Sequence, residues 1–253
     1  MKTNIDARDR LIVALDVDKE AQAMELVGKL DGCVSFFKVG LQLFVGAGFG
    51  VVQKLLEHEK DVFLDLKMED IPETIHRTVA NMAHEGVRFF TIGGGGPTAK
   101  AARAGRGNNV FPKLLQITAL SSWDDGDLHD LTHSEKGPGV NNWALTRAHK
   151  IMGAGCDGLI ASGESVALIR AEYPKGKAII VTPGIRPQGS DKNDHKRTLT
   201  PAEAINAGSD YLVVGRPIVE SGGPLDAAEK IVAEMQEAIN DNTQKTGDTS
   251  TAG

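Results

Sequence analysis

Asp65, Lys67 and Asp70 are among the ionisable side chains that interrupt an apolar run in Asp61-Val-Phe-Leu-Asp-Leu-Lys-Met-Glu-Asp-Ile-Pro72. Val62, Phe63 and Leu64 favour a buried strand, and side chains alternate across a strand, so Asp65 and Lys67 point to the same side. Asp70 lies beyond the strand end, where Ile71-Pro72 marks a turn and a helix start. Carboxylates and an amine at the mouth of a buried strand are costly to desolvate unless they pair or do chemistry. An ordinary ion pair would account for this stretch alone. A second charged strand, Phe36-Phe-Lys-Val-Gly40, points instead to a site, because Lys38 puts another ammonium where a core is expected.

The elements that must position these groups follow from hydrophobic patterning. Apolar strands are expected at Leu11–Val17, Phe36–Gly40, Asp61–Lys67, Gly86–Gly93, Lys113–Leu120, Cys156–Ser162, Ala178–Gly184 and Tyr211–Arg216. Helical stretches alternate with them, including one run from Leu41 to His58, and a closing helix spans Leu225–Ile239. The segment from Trp123 to Gly139 reads as a polar loop, and so does Ile185–Leu199. Continuous apolar strands alternating with helices predict a parallel α/β sheet. Eight such units fit a closed (β/α)₈ barrel over residues 1–240, a TIM barrel, with a disordered tail at 241–253. An open doubly wound sheet is the competing architecture. Polar residues favour the barrel: Asp16, Lys38, Asp65, Lys67, Thr182 and Arg216 all fall near C-terminal strand ends, where barrel sites are built.

A net charge of -6 argues against a nucleic-acid surface, while leaving room for a local cationic pocket. No apolar run reaches membrane-spanning length, and the polar start carries no signal-peptide core, so a cytoplasmic location is expected. Cys33 and Cys156 are isolated and form no metal motif. His129 and His133 are four apart without a third ligand and read as solvated loop residues. Trp123 and Trp143 read as packing residues. The run Gly93–Gly96 lacks the context of a phosphate cradle and reads as a tight rim turn.

Val181-Thr-Pro-Gly-Ile-Arg-Pro187 and Val214-Gly-Arg-Pro-Ile218 follow strands seven and eight. Loops at these positions commonly bind phosphate. Gly215 lets the backbone approach an anion, and Arg186 and Arg216 supply charge.

Asp65-x-Lys67-x-x-Asp70, with Asp16, Lys38, Thr-Pro-Gly-Ile-Arg-Pro and Val-Gly-Arg-Pro-Ile, resembles the orotidine 5'-phosphate decarboxylase family, most closely its bacterial branch. The resemblance covers about residues 9 to 240. It implies cofactor-free and metal-free decarboxylation of orotidine 5'-monophosphate to uridine 5'-monophosphate, the last step of de novo pyrimidine biosynthesis. It implies that Lys67 protonates the C6 carbanion, flanked by Asp65 and Asp70, with Lys38 completing an alternating charge network. It further implies a homodimer in which the partner supplies Asp70, Ile71 and Thr74 to each site. Asp16 and Lys38 would hold the ribose hydroxyls and Ser121 the pyrimidine, while Arg186, Gly215 and Arg216 take the phosphate. The loop from Gln188 to Arg197 would act as a lid.

Two positions depart from the family pattern. His195 stands in the lid where many members carry glutamine, and Gly93 ends strand four where a histidine is common. The competing functions are a metal-dependent phosphosugar decarboxylase or aldolase on the same barrel and a nucleotide-binding barrel without chemistry. The first would want an acidic metal ligand near the end of strand two, where this chain has Lys38. The second has little reason to keep Asp65, Lys67 and Asp70 together.

Overall fold

The computed structural model describes residues 6–134, 137–188 and 196–248, with the side chains of 245–248 excluded. The described residues form a closed barrel of parallel strands in sequential order. The strands are β1 (Leu11–Ala14), β2 (Phe36–Gly40), β3 (Asp61–Met68), β4 (Phe89–Ile92), β5 (Lys113–Ile117), β6 (Gly158–Ile160), β7 (Ile179–Thr182) and β8 (Tyr211–Val214). β8 pairs with β1, which closes the sheet and removes its edges. The (β/α)₈ barrel is therefore the architecture, and the open-sheet alternative is excluded.

Alternation sorts each strand into an outer and an inner face. Outward residues such as Val13, Phe37, Val39, Leu64 and Phe90 join the large core beneath the helices. Inward residues Ile12, Phe36, Phe63, Phe89, Leu115, Val181, Tyr211 and Val213 fill the barrel. Phe36, Phe89 and Tyr211 meet edge to face, at centroid distances of 5.0–5.9 Å. Arg88 seals this end: its guanidinium lies over the Phe36 ring at 5.2 Å, pairs with Asp61 and reaches the Tyr211 hydroxyl at 3.3 Å. Two residues further along the same inward faces, Phe36 gives way to Lys38, Phe63 to Asp65 and Ala14 to Asp16. The barrel is thus apolar at its base and charged at its C-terminal mouth.

The helices are α1 (Ala7–Arg10), α2 (Glu20–Lys29), α3 (Leu41–Ala47), α4 (Gly50–Glu57), α5 (Pro72–Met82), α6 (Gly96–Arg106), α7 (Asp125–Thr132), α8 (Val140–Gly153), α9 (Ser165–Glu172), α10 (Pro201–Ala207), α11 (Arg216–Val219) and α12 (Pro224–Asp248). Several differ from the sequence expectation. The single helix expected over Leu41–His58 is two, broken where Gly48 takes φ 68. The polar stretch after Trp123 contains α7, started by a reciprocal Asp124–Asp127 capping box. α12 does not stop at Ile239 but runs on to Asp248; residues 249–253 lie outside the described part. Trp123 and Trp143 pack on a small core of Ala119, Leu128, Val140 and Ala144 beneath α7 and α8.

Candidate active site

A cavity of about 510 Å³ opens at the C-terminal mouth of the barrel. Phe63, Ile117, Ile160 and Val213 supply its apolar lining. Asp16, Lys38, Asp65, Lys67, Ser121, Arg186, Gly215 and Arg216 supply its polar lining. Eight sequence-predicted site residues therefore share one pocket, although they come from strands all round the barrel.

The charged residues are linked in a row. Lys38 Nζ lies 3.0 Å from Asp16 Oδ1 and 3.8 Å from Asp65 Oδ2. Lys67 Nζ lies 2.8 Å from Asp65 Oδ2. Gly40 makes the first of these contacts possible, since a Cβ there would stand 2.7 Å from Lys38 Nζ. The two ammonium groups are not equivalent. The side chain of Lys67 is 36% exposed and that of Lys38 only 11%, so Lys67 is the amine that a bound molecule can meet.

Asp65 is almost wholly enclosed. Burial alone would raise its carboxyl pKa, but the Lys38 and Lys67 ammoniums, with hydrogen bonds from Lys67 and Thr91, outweigh that and hold it below the ordinary carboxylate value. The carboxylate is therefore ionised at neutral pH and keeps Lys67 in place. Lys67 itself has φ 50, at a register shift in the β3–β4 pairing between Leu64 and Met68. The bulge turns the strand end without breaking the Asp65–Lys67 contact.

Further round the rim, the Thr-Pro-Gly turn after β7 uses Gly184 at φ 77, and both Pro183 and Gly184 line the cavity. Arg186 is buried and donates through Nη1 to the Ile185 carbonyl at 2.8 Å. Gly215 caps α11 and lies close to Asp16, and Arg216 opens the helix. Thr182, grouped with the mouth residues on its strand position, does not line the cavity; it is buried and bonded to Ser209 at 2.6 Å.

Asp70, Ile71 and Thr74 lie elsewhere. All three are exposed, Ile71 by 66%, and none lines the cavity of its own chain. Asp70 Oδ1 accepts the Ile71 N–H at 2.6 Å. The single chain thus brings one carboxylate to Lys67, not two. His195 lies outside the described residues.

The end of the loop before α10 is fastened to α7 and its neighbours. Lys196 Nζ reaches Asp124 at 2.8 Å and Asp127 at 2.7 Å, and the Lys196 and Arg197 amides donate to the Ser121 carbonyl. The Lys196 hydrogen bond, with the Asp127 amide, lowers Asp124 to about 2. Arg197 Nη2 donates to Asn141 Oδ1, the Ser162 carbonyl and Ser165 Oγ at 2.6–2.8 Å.

At the end of β4, Gly93 and Gly94 sit beneath Glu69. A Cβ at Gly93 would stand 3.0 Å from the Lys67 carbonyl and 3.3 Å from Glu69. The Gly93 and Gly94 carbonyls are held by Gln116, and Gly94 also by Arg147. Instead of the separate tight turn expected, the glycine run bends at Gly94 and leads directly into α6, with Gly95 at its N-cap and Gly96 its first residue, and the Gly93 and Gly94 carbonyls are already engaged.

Thr91, Gly40 and the Lys196–Arg197 anchors were not singled out from sequence. A threonine in an apolar strand and a glycine two residues after Lys38 are weak signals until the neighbouring strands are known.

The chain is similar to known proteins over most of its length. The sequence model of the orotidine 5'-phosphate decarboxylase / HUMPS family matches residues 9–231. The orotidine 5'-phosphate decarboxylase of Afipia carboxidovorans is 46% identical over 235 residues, covering 92% of this chain and 97% of that protein. The enzyme of the same name from Rhodopseudomonas palustris strain BisB5 is 44% identical over 231 residues, covering 91% and 96%. Among solved structures, orotidine 5'-phosphate decarboxylase from Lactobacillus acidophilus superposes with a TM-score of 0.76 at 35% identity, covering 90% of this chain and 99% of that one. A barrel whose mouth carries the Asp16–Lys38–Asp65–Lys67 row, matched along nearly its whole length, belongs to the orotidine 5'-phosphate decarboxylase / HUMPS family.

Proposed function

We propose that this chain decarboxylates orotidine 5'-monophosphate to uridine 5'-monophosphate, the last step of de novo pyrimidine biosynthesis. The observation that carries this reading is the charged row ending in the accessible Lys67, in a chain 46% identical to an enzyme of that name. Cleavage of the C6–carboxylate bond releases CO₂ and leaves an electron pair on C6. No electron sink is needed if a fixed ammonium stabilises that charge as it develops. Lys67 then gives its proton to C6, forming the C–H bond of the product, and recovers a proton from solvent. Asp65, ionised and pinned on its far side by Lys38, keeps Lys67 oriented toward the reacting carbon.

The remaining residues fall into binding roles. Asp16 and Lys38 hold the ribose, and Ser121 the pyrimidine. Arg186, Arg216 and the backbone at Gly215 receive the phosphate, joined by His195 from the preceding loop. Binding energy at the phosphate, remote from C6, is then available to order the loop and the reacting groups. No cofactor or metal takes part. The metal-dependent phosphosugar alternative is disfavoured by Lys38, whose ammonium sits between Asp16 and Asp65 where a cation would have to bind.

The working form is a homodimer in the cytoplasm. Its support is the position of Asp70, Ile71 and Thr74, exposed on the rim beside the cavity's β3 wall and available to a second copy. An ultraviolet assay for loss of orotidine 5'-monophosphate, run with a chelator present, tests the activity. Metal-independent turnover is expected. Tight binding without turnover would favour a ligand-binding barrel, and chelator-sensitive activity would favour the phosphosugar class.

A further inference from the structure

Thr91 lies on β4, fully buried and behind the cavity wall. Its hydroxyl contacts both members of the Asp65–Lys67 pair. Oγ1 is 2.7 Å from Asp65 Oδ1 and 3.2 Å from the Lys67 backbone nitrogen. The Leu64 carbonyl, at 3.4 Å, is a longer alternative acceptor. A hydroxyl has one hydrogen to give, and the short contact to a charged acceptor claims it. Thr91 therefore donates to Asp65 and accepts from the Lys67 N–H.

This arrangement solves a problem the β3 bulge creates. Lys67 occupies the left-handed backbone region, disfavoured for a side chain of its kind. Its N–H is directed to the Thr91 hydroxyl. The same hydroxyl fixes one oxygen of Asp65, leaving Oδ2 for Lys67 at 2.8 Å and Lys38 at 3.8 Å. The groups facing Asp65 are thus Lys38 from β2, Lys67 from its own strand and Thr91 from β4; Asp16 on the β1 side reaches it through Lys38.

We infer that Thr91 is a positioning residue for the reaction: its hydroxyl holds the Lys67 backbone and the Asp65 carboxylate in the one relative placement that aims the ammonium. This inference rests on the decarboxylase reading. Substrate binding uses other groups, so its loss is expected in turnover more than in affinity.

The test uses the full-length chain, with wild-type turnover and an inactive Lys67→Ala control establishing the reaction first. Thr91→Val keeps the shape and removes the hydroxyl. It is expected to lower kcat roughly ten- to a hundredfold, the cost of one hydrogen bond to a charged group, with KM within about threefold. Without that donor the Asp65 carboxyl becomes less acidic, so the acid limb of the kcat–pH profile moves to higher pH. Thr91→Ser is expected to recover most of kcat and return the limb. A crystal structure of Thr91→Val reads the geometry without turnover: Lys67 Nζ displaced from Asp65 by roughly 0.5 Å or more is expected. A Thr91→Val chain with near-normal kcat, an unmoved acid limb or an unmoved Lys67 would overturn the assignment. So would a valine variant that fails to fold, which would make the hydroxyl a strand-stability feature. A wild-type chain that does not turn over would remove the decarboxylase reading, and the crystallographic comparison would still decide whether Thr91 places the pair.

Discussion

Asp65 and Lys67 meet at 2.8 Å although the backbone between them leaves the regular strand and Lys67 adopts φ 50. Simple alternation would bring these side chains to one face. The structure reaches the same face by a bulged route, which also draws the Lys67 N–H toward β4. The ammonium is thereby fixed at both ends of its residue, by Asp65 at the side chain and Thr91 at the backbone.

Under the proposed mechanism, replacing Lys67 with alanine removes the proton donor and the charge that stabilises the carbanion together. Turnover is expected to fall by more than the ~10²–10⁴ of ordinary acid–base loss, with the fold retained. Steady-state kinetics and circular dichroism check this. Activity within tenfold of wild type would take Lys67 out of the mechanism.

Under the proposed binding roles, Arg216→Ala removes one charge-assisted contact to the phosphate. A loss of about 1.5–3 kcal/mol is expected. It will appear in both affinity and turnover, because the phosphate contributes to ordering the site. Unchanged kcat and KM would move the phosphate away from the β8 end.

Acid pH tests Asp65. Its folded pKa is depressed, so its contribution to stability and to Lys67 placement is complete above the unfolded value of ~3.9 and is lost as pH falls through the lower folded value. Asp65 is therefore expected to stay ionised in the folded chain below pH ~4. Carboxyl titration by NMR in the folded protein reads this directly; a normal or raised midpoint would contradict the ion-pair geometry.

Gly93→Ala places a Cβ 3.0 Å from the Lys67 carbonyl and 3.3 Å from Glu69. Glu69 can swing away but the carbonyl cannot, so the bulge carrying Lys67 must shift. A destabilisation of about 1–3 kcal/mol is expected, with a lower kcat. A thermal melt and kinetics report the two effects, and an alanine variant equal to wild type in both would show that Lys67 does not depend on this turn.

Subunit mixing tests the shared site. Lys67→Ala and Asp70→Ala homodimers are each expected to be nearly inactive. A mixed dimer holds one site with both lesions and one with neither, so random exchange restores up to about a quarter of wild-type activity per subunit. Demonstrated heterodimers without activity would assign Asp70 to its own chain and end the shared-site proposal.

The barrel and most of the pocket were legible in the sequence because two-residue alternation on each strand carries the information. Phe36 to Lys38 and Phe63 to Asp65 step from packed interior to charged mouth on one face, and that step is visible before any fold is known. The bulge at Lys67 was not legible, since a left-handed lysine leaves no compositional mark. Nor was the role of Thr91, whose partners lie on a strand more than twenty residues away. α7 leaves no apolar pattern because its residues are polar, and only the Asp124–Asp127 capping box marks its start in the sequence. The long α12 outran its apolar pattern: Asn, Asp, Thr, Gln and Lys continue the helix after Ile239, where the packed face has ended. Asp70, Ile71 and Thr74 are exposed and away from the cavity of their own chain, and under the proposed shared site their partner would be a second copy, which no local pattern encodes.

Arg88, spread across the rings at the barrel base, makes the pocket a cul-de-sac. With Phe36, Phe89 and Tyr211 packed behind it, the described residues leave the pocket open at the mouth and filled at the base. Under the proposed reaction the gas released at C6 must therefore leave past the nucleotide that produced it. Both products of that reaction would then share the same way out, and any group that narrows the mouth would slow their release together.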